Sequence, residues 1–528
     1  MLSEWSQTCL DARVKTNETL GDLLEPALKL RPDKIAIHYD DRAITYRELD
    51  AVSNRVANAL VAAGIRPGDR ICLHIDNRPE FIFIFYGAMR VGAVVVPANV
   101  MYTPDELDHI LTDSGARLFF VLNALAEKWP KITAPLIEKV IEVGSKLLPN
   151  SLSLDEFTAG HASDRPKVAV DSAKVCVIQY TSGTTGQPKG AMVSHVNILA
   201  VLENTTDLPG ALEGIEEDGT LIVLPLFHSY ALNLGINRTF SAVQTMVLVN
   251  RFDAVRIFEL FQKHKVTIFY GAPPMYFAFI NTPGLDKFDV SSLRGAYSGA
   301  APLPVVVLEK FKELTGVMIM EGYGLSETAP TLSTNAAGPV NKPGAVGPPI
   351  KQVQLRIVDE NDNDVPPGGV GEVIARGPNI FLGYWNRPEE TAEAMRGGWF
   401  HTGDMGRFDE DGYLYIVDRK KDMIVVSGYN VYPIELENVI MRHPKIMDCA
   451  VIGVPSEYQG ESVKAVLVAK PGADPTAEEI EAYCREHMAN FKVPKYYVFR
   501  DSLPKNATGK VLKRVIRDQE GGITKAKV

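Results

Sequence analysis

Apolar positions along the first part of the chain follow two rhythms. Short β-rich runs at Lys34-Ile35-Ala36-Ile37, Ile71-Cys72-Leu73-His74-Ile75, Leu221 to Leu224, Met246 to Val249 and Val266 to Phe269 predict strands. Between them the spacing turns helical. Thr45-Tyr46-Arg47-Glu48 matches a capping box, in which hydroxyl and carboxylate satisfy each other's backbone N–H groups. Leu49, Val52, Val56 and Leu60 then fall on one helix face. Thr103-Pro104-Asp105-Glu106 is a second start, with proline where a helix needs no donor. Asp253 to His264 and Leu303 to Leu314 read as amphipathic crossovers. Strands alternating with helices predict an α/β fold of largely parallel sheets flanked by helices.

The texture changes after about Asn341. Gln354-Leu355-Arg356-Ile357-Val358 and Glu372-Val373-Ile374-Ala375 are β runs separated by turns such as Pro366-Pro367-Gly368-Gly369, predicting a β-rich subdomain over about 341–418. Beyond Asp418 the pattern is α+β. Helices are expected near Ile434 to Arg442 and Ala477 to Met488, with strands at Ala450 to Val454 and Lys464 to Ala469. The expected division is a large N-terminal domain, 1–418, and a small C-terminal domain, 419–528.

The 528 residues exceed what one core usually organises, and 46% hydrophobic with 23% charged residues is ordinary globular composition. A net charge of −10 without basic clusters argues against nucleic acid as the main partner. Five scattered cysteines without CxxC spacing suit a reducing cytoplasm and suggest no cysteine-based metal or redox site. Met1-Leu2-Ser3-Glu4-Trp5 opens no secretion signal. Phe81 to Met101 is the most lipid-like stretch, yet Arg90 and Pro97 interrupt it, so a buried helix followed by a strand is expected there. The chain is expected to be cytoplasmic and without a transmembrane segment. Peripheral membrane contact stays open, and nothing in the sequence fixes an oligomeric state.

The richest local signal is Tyr180-Thr181-Ser182-Gly183-Thr184-Thr185-Gly186-Gln187-Pro188-Lys189-Gly190, fed by the apolar run Val175-Cys176-Val177-Ile178. Gly183 and Gly186 permit a tight turn, while the hydroxyls and Lys189 supply donors and charge for phosphate oxygens. The spacing differs from the kinase or GTPase P-loop, in which two glycines five apart run directly into Lys-Ser/Thr. A loop of this make-up leaving a buried strand predicts handling of a nucleoside triphosphate.

Four further motifs follow in order: Gly322-Tyr323-Gly324-Leu325-Ser326-Glu327-Thr328, His401-Thr402-Gly403-Asp404, Asp418-Arg419-Lys420-Lys421, and Pro504-Lys505-Asn506-Ala507-Thr508-Gly509-Lys510. With the first loop they resemble the adenylate-forming superfamily of acyl-CoA synthetases, firefly-type luciferases and peptide-synthetase adenylation domains. The resemblance runs from about Thr19 to about Arg517, and within the superfamily is strongest to bacterial fatty-acid–CoA ligases. It implies that a small-molecule carboxylic acid attacks ATP and that coenzyme A captures the acyl-adenylate. The nucleophile arrives ionised, so the site needs cations and fixed donors more than a general base.

The resemblance also implies roles. Thr181, Ser182, Gly183, Thr184, Thr185, Gly186 and Lys189 would hold the β- and γ-phosphates. Glu327 would ligate Mg²⁺, with Thr184 beside the same ion or phosphate. Ser298-Gly299-Ala300-Ala301-Pro302 and Gly322-Tyr323-Gly324, next to Ser326, would clamp adenine. Ser326 stands where threonine is frequent in the family and keeps the hydroxyl. Asp404 would accept from both ribose hydroxyls, supported by Arg419. Lys510 would act at the α-phosphate, Lys421 would be the hinge of a mobile C-terminal lid, and Gly428 and Tyr429 would face coenzyme A. His228, in Pro225-Leu226-Phe227-His228-Ser229-Tyr230, would lie beside the acyl site where amino-acid-activating relatives typically carry aspartate. Tyr270-Gly271-Ala272-Pro273-Pro274-Met275-Tyr276 would form another wall, with small and apolar residues suited to an alkyl chain or an aryl ring. Medium- or long-chain fatty acids are the first expectation. Aryl acids, or a standalone adenylation enzyme loading a carrier protein, are the alternatives.

Overall fold

Thr45 and Thr103 each accept the backbone N–H three residues on, and Glu48 and Glu106 return the bond, launching helices Tyr46–Ala62 and Pro104–Ser114. Asp253 caps Ala254–His264 through Arg256 N at 2.8 Å. Local chemistry of this kind sets the helix starts. The computed structural model describes residues 19–181, 188–206, 208, 218–427, 429–456, 460–507 and 509–520.

Among these residues the strands gather into four sheets. One has eight strands in the order Ser333–Thr334, Ile319–Tyr323, Gly295–Ser298, Ile268–Gly271, Gly219–Ile222, Thr245–Leu248, Ile35–Tyr39, Arg42–Thr45. All its inner pairings are parallel, and only the two outermost are antiparallel. A seven-stranded sheet is likewise parallel up to its last pair, Val175–Thr181 with Lys189–Ser194. The phosphate-type loop therefore joins an antiparallel hairpin at a sheet edge.

The helix Pro79–Arg90 is buried on every side and contributes Phe81, Ile84 and Phe85 to the main core. It packs tightly on Tyr46–Ala62, since a Cβ on Gly87 would sit 2.7 Å from a Val56 methyl. Arg90 stays charged in that core by pairing with Asp50 at 2.6 Å and donating to Asn54 Oδ1 at 2.7 Å. The strand Val94–Pro97 follows, as the pattern predicts. No helix among the described residues is long and apolar enough to cross a membrane.

A third sheet, antiparallel, joins Gln354–Val358, Gly371–Arg376, Phe400–Phe408 and Leu414–Arg419. The C-terminal domain is built on a sheet containing Gly460–Ala469 and Ile446–Ser456, packed by helices Pro433–Ile440 and Ala477–His487 around its own core. One element lies where none is predicted. After Tyr230 the chain winds as a π-type turn, Ala231–Asn237, and continues into the helix Arg238–Ser241. Such wide turns recur at functional sites.

Candidate active site

The carboxyl ends of parallel strands are where open α/β sheets bind ligands. Here Thr181, Ser298 and Tyr323 end their strands around one cavity of about 1250 Å³. Its wall carries Thr181, Lys189, His228, Gly299, Ala300, Gly322, Tyr323, Gly324, Ser326, Glu327, Asp404, Arg419, Lys421 and Lys510. Residues from every one of the five motifs thus converge. Ser182, Gly183, Thr184, Thr185, Gly186 and Gly428 lie outside the described residues. Tyr429 is the exception: it sits 60% exposed on the hairpin Ile424–Val426/Tyr429–Val431, tilted against Phe491 with ring centroids 5.0 Å apart, and does not line the cavity.

Two backbone features shape the purine-sized end. A Cβ on Gly324 would fall 1.8 Å from the carbonyl oxygen of Pro330, so only glycine lets these two loop segments approach. Ala300 holds a left-handed φ of 72°, a strained choice for a residue with a Cβ, and turns the chain after Ser298 across the cavity.

Asp404 and Arg419 are register partners on neighbouring antiparallel strands. The Asp404 carboxylate accepts from Tyr323 Oη at 2.8 Å and Arg419 Nε at 3.0 Å. The carboxylate nearby raises the Arg419 guanidinium against the opposing effect of burial. Glu327 is 7% exposed, and Tyr384 Oη donates to its Oε1 at 3.0 Å. Burial holds the Glu327 carboxyl above its ordinary range, and among the described residues no lysine or arginine forms an ion pair with it. A buried carboxylate lacking a paired cation, at a cavity rimmed by hydroxyls, fits a hard divalent ion sharing its remaining ligands with phosphate. Lys189 pairs with Glu390 and lies over the Tyr384 ring, 5.6 Å from its centroid.

Lys510 reaches this place from the far end of the chain. Asn506 holds the turn, accepting from Lys510 N at 2.8 Å through its side chain and from Gly509 N at 2.9 Å through its carbonyl. Gly509 has a φ of 81°, and a Cβ there would lie 2.3 Å from Pro274. The turn is thus seated directly on the helix Pro273–Asn281. Burial, aided by the Arg419 charge, lowers the Lys510 ammonium to about 8. Burial and Lys510 together lower the His228 imidazole to about 4, so this ring is neutral near pH 7. Its Nδ1 accepts from Tyr230 N at 3.3 Å. The adjoining Ser229 shares a 3.3 Å hydrogen bond with Ser326, tying the acyl-side segment to the nucleotide-side motif.

Sequence reasoning passed over Tyr384, whose partnership with Glu327 depends on an antiparallel bridge between Tyr384 and Ala191. It also passed over Glu321, one residue before its motif. Glu321 lines the cavity, accepts from Leu303 N at 3.2 Å and is pushed up to about 7 by burial. That neighbouring position was the available signal.

Fold and site together define an enzyme that activates a substrate on a nucleotide. The chain belongs to the AMP-binding enzyme family: residues 24–385 match that family, and residues 435–510 match the AMP-binding enzyme C-terminal domain. The superfamily expected from the five motifs is borne out. Over 536 residues the chain is 36% identical to a long-chain-fatty-acid–CoA ligase of Bacillus subtilis (strain 168), covering 96% of this chain and 95% of that one. It is also 36% identical over 509 residues to a feruloyl-CoA synthase of an Amycolatopsis species, covering 96% and 100%. The crystal structure of the anthranilate CoA ligase AuaEII in complex with anthranoyl-AMP superposes with a TM-score of 0.89 at 30% identity, over 96% of this chain and 97% of that one.

Proposed function

We propose that this chain is an ATP-dependent acyl-CoA ligase acting in the cytoplasm on a medium- or long-chain fatty acid. The acid's carboxylate displaces pyrophosphate from the α-phosphorus of ATP, and the thiol of coenzyme A then displaces AMP from the acyl-adenylate. The observation that carries this reading is the meeting of Lys510, His228, Arg419, Asp404 and Glu327 at one cavity. A chance grouping would not bring residues so distant in sequence together as cations beside a diol-type acceptor and a buried carboxylate.

Each residue then has a task. The loop Thr181, Ser182, Gly183, Thr184, Thr185, Gly186 and Lys189 cradles the β- and γ-phosphates. Glu327 would hold Mg²⁺ with Thr184 close by, and the ion when bound supplies charge to offset the triphosphate. Tyr384 orients the Glu327 carboxylate. Gly299, Ala300, Gly322, Tyr323, Gly324 and Ser326 enclose adenine, and Asp404 takes the ribose hydroxyls with Arg419 holding it in place. His228, neutral, borders the acyl carboxylate without repelling or neutralising it. Lys510 offsets the charge that builds where carboxylate meets phosphorus. Residues 419–528 form a mobile lid on the body 1–418, turning at Lys421 to withdraw Lys510 and admit coenzyme A past Gly428 and Tyr429.

An aryl acid is the second reading. It is favoured by the tyrosine-rich wall, where Tyr270 stacks on Tyr297 with centroids 5.1 Å apart and Tyr230 meets Tyr270 edge-on at 6.0 Å. A panel of octanoate, palmitate, benzoate and several amino acids, followed by pyrophosphate release with ATP, Mg²⁺ and coenzyme A, tests both. Aliphatic acids are expected to lead. Release only with amino acids, or with no acid at all, overturns the proposal.

Asp404→Ala removes the diol acceptor and leaves Arg419 without its carboxylate. Hydrogen bonds to a charged group are worth about 1.5–3 kcal/mol. The expected result is a KM for ATP raised by about ten- to a hundredfold, with KM for the acid little changed. A variant with the wild-type KM for ATP would remove Asp404 from the nucleotide site.

A further inference from the structure

Arg238 begins the short helix that follows the π-type turn, ten residues beyond His228. It lines the same cavity beside Asp218, Tyr270 and Tyr297, whereas Lys510 neighbours Asp404, Arg419 and His228, and it is only 6% exposed. Its Nη1 is fully buried without a hydrogen-bond partner, and among the described residues its guanidinium forms no ion pair. The buried carboxylate of Asp218 is close enough to feel the Arg238 charge, but it is shared with another cation. Asp218 is paired with Arg294 and also accepts from Gln244 Nε2 at 3.2 Å. Gln244 is itself spent, since its Oε1 accepts from Thr220 Oγ1 at 3.0 Å.

A buried cation with an unpartnered donor and no ion pair of its own is among the costlier features a core can carry, and buried charges are ordinarily paired. In a wall meant only for a hydrocarbon, a leucine would serve better. The surroundings of Arg238 are those of a recognition point. Tyr270 and Tyr297 also line the cavity there. Burial pushes both of their hydroxyls up, and Arg238 is near enough to each to oppose that shift. The cavity wall thus carries both Lys510 and Arg238, in separate surroundings, together with the apolar side chains of Leu234 and Phe277.

We propose that Arg238 receives a second anionic oxygen group at the distal end of the acyl substrate, which narrows the medium- or long-chain aliphatic acid of the proposed function to one carrying a terminal carboxylate, an α,ω-dicarboxylic acid. This rests on the ligase reading above. A planar guanidinium can take a carboxylate through two parallel hydrogen bonds, which a methyl terminus cannot repay. A site built to pair a polar group rejects the analogue lacking it, because its own buried group is then stranded. Discrimination should therefore be strong and should depend on length, peaking where the distal carboxylate reaches Arg238.

The test compares kcat/KM for suberate, sebacate and dodecanedioate with octanoate, decanoate and dodecanoate, by AMP release, in wild type, Arg238→Leu and Arg238→Lys. Wild type is expected to favour at least one diacid over its equal-length monoacid by tenfold or more. Arg238→Leu should reverse that ratio, and Arg238→Lys should keep part of it. If wild type activates monoacids with no diacid advantage at any length, the inference is overturned whether or not the variants fold, and the ligase reading stands. An unchanged diacid preference in folded Arg238→Leu overturns it equally. Activation of neither series would instead strike the ligase reading itself.

Discussion

Lys510→Ala is expected to slow acyl-adenylate formation by about a thousandfold, the upper range for removing one charge-stabilising donor from a preorganised site. Among the described residues Lys510 forms no ion pair, so its ammonium is available to an incoming anion. Its placement is costly, since burial holds it near 8 and Gly509 must approach Pro274 closely to seat the turn. Such an arrangement makes sense for a charge used in the reaction. A split outcome follows: starting from preformed acyl-adenylate, the variant should still make thioester at a rate close to wild type. Equal losses in the two half-reactions would show that Lys510 merely supports the fold. The pH dependence has a definite sign. Below about 8 the free enzyme carries the ammonium, and above it the charge is lost. Because kcat/KM reports groups of the free enzyme, its value for ATP should fall as pH rises through about 8. Lys510→Arg, charged throughout, should flatten that fall even if its absolute rate is lower.

Features encoded within a few residues were the legible ones. The capping boxes at Thr45 and Thr103 needed only their own side chains, and both form as read. The motif order predicted the meeting at one cavity because each motif carries its own backbone geometry, such as the glycine at position 324 that no larger residue could replace. What escaped were partnerships made by topology. Tyr384 reaches Glu327 only because a bridge aligns it with Ala191, and nothing local marks that bridge. Arg238 looks like a surface arginine in sequence, and only the winding of Ala231–Asn237 carries it inside. The largely parallel sheets were correctly foreseen, whereas the antiparallel edge that carries the phosphate-type loop was not. Edge pairing depends on what lies beyond the strand, which a hydrophobic run does not record.

The largest expected effect on the second half-reaction comes from the segment that joins the two parts of the chain. Lys420–Asp422 forms one 3₁₀ turn, and Lys421 within it is exposed, with its ammonium lowered by partial desolvation and by Arg419. Contacts on either side favour the present arrangement. Asp418, before the turn, accepts from Ile434 N at 2.8 Å, after it, and Arg517 pairs with Asp422. Burial draws the Lys513 ammonium down, but the Glu437 and Asp418 carboxylates more than offset this. In the proposed cycle the backbone of Lys421 must leave its 3₁₀ conformation for Lys510 to withdraw. Proline is compatible with the φ of such a turn, about −60°, but resists any large departure from it. Lys421→Pro should therefore leave pyrophosphate exchange near the wild-type rate and lower thioester formation about a hundredfold, equivalent to about 2.7 kcal/mol of barrier. The ring also disfavours a helical backbone at Lys420, a local cost small beside the expected hundredfold loss in thioester formation. Lys421→Ala separates hinge from charge, since it removes the ammonium while leaving rotation free, and should retain both half-reactions. Parallel losses in exchange and thioester formation for the proline variant would mean that the turn holds the site together and does not swing.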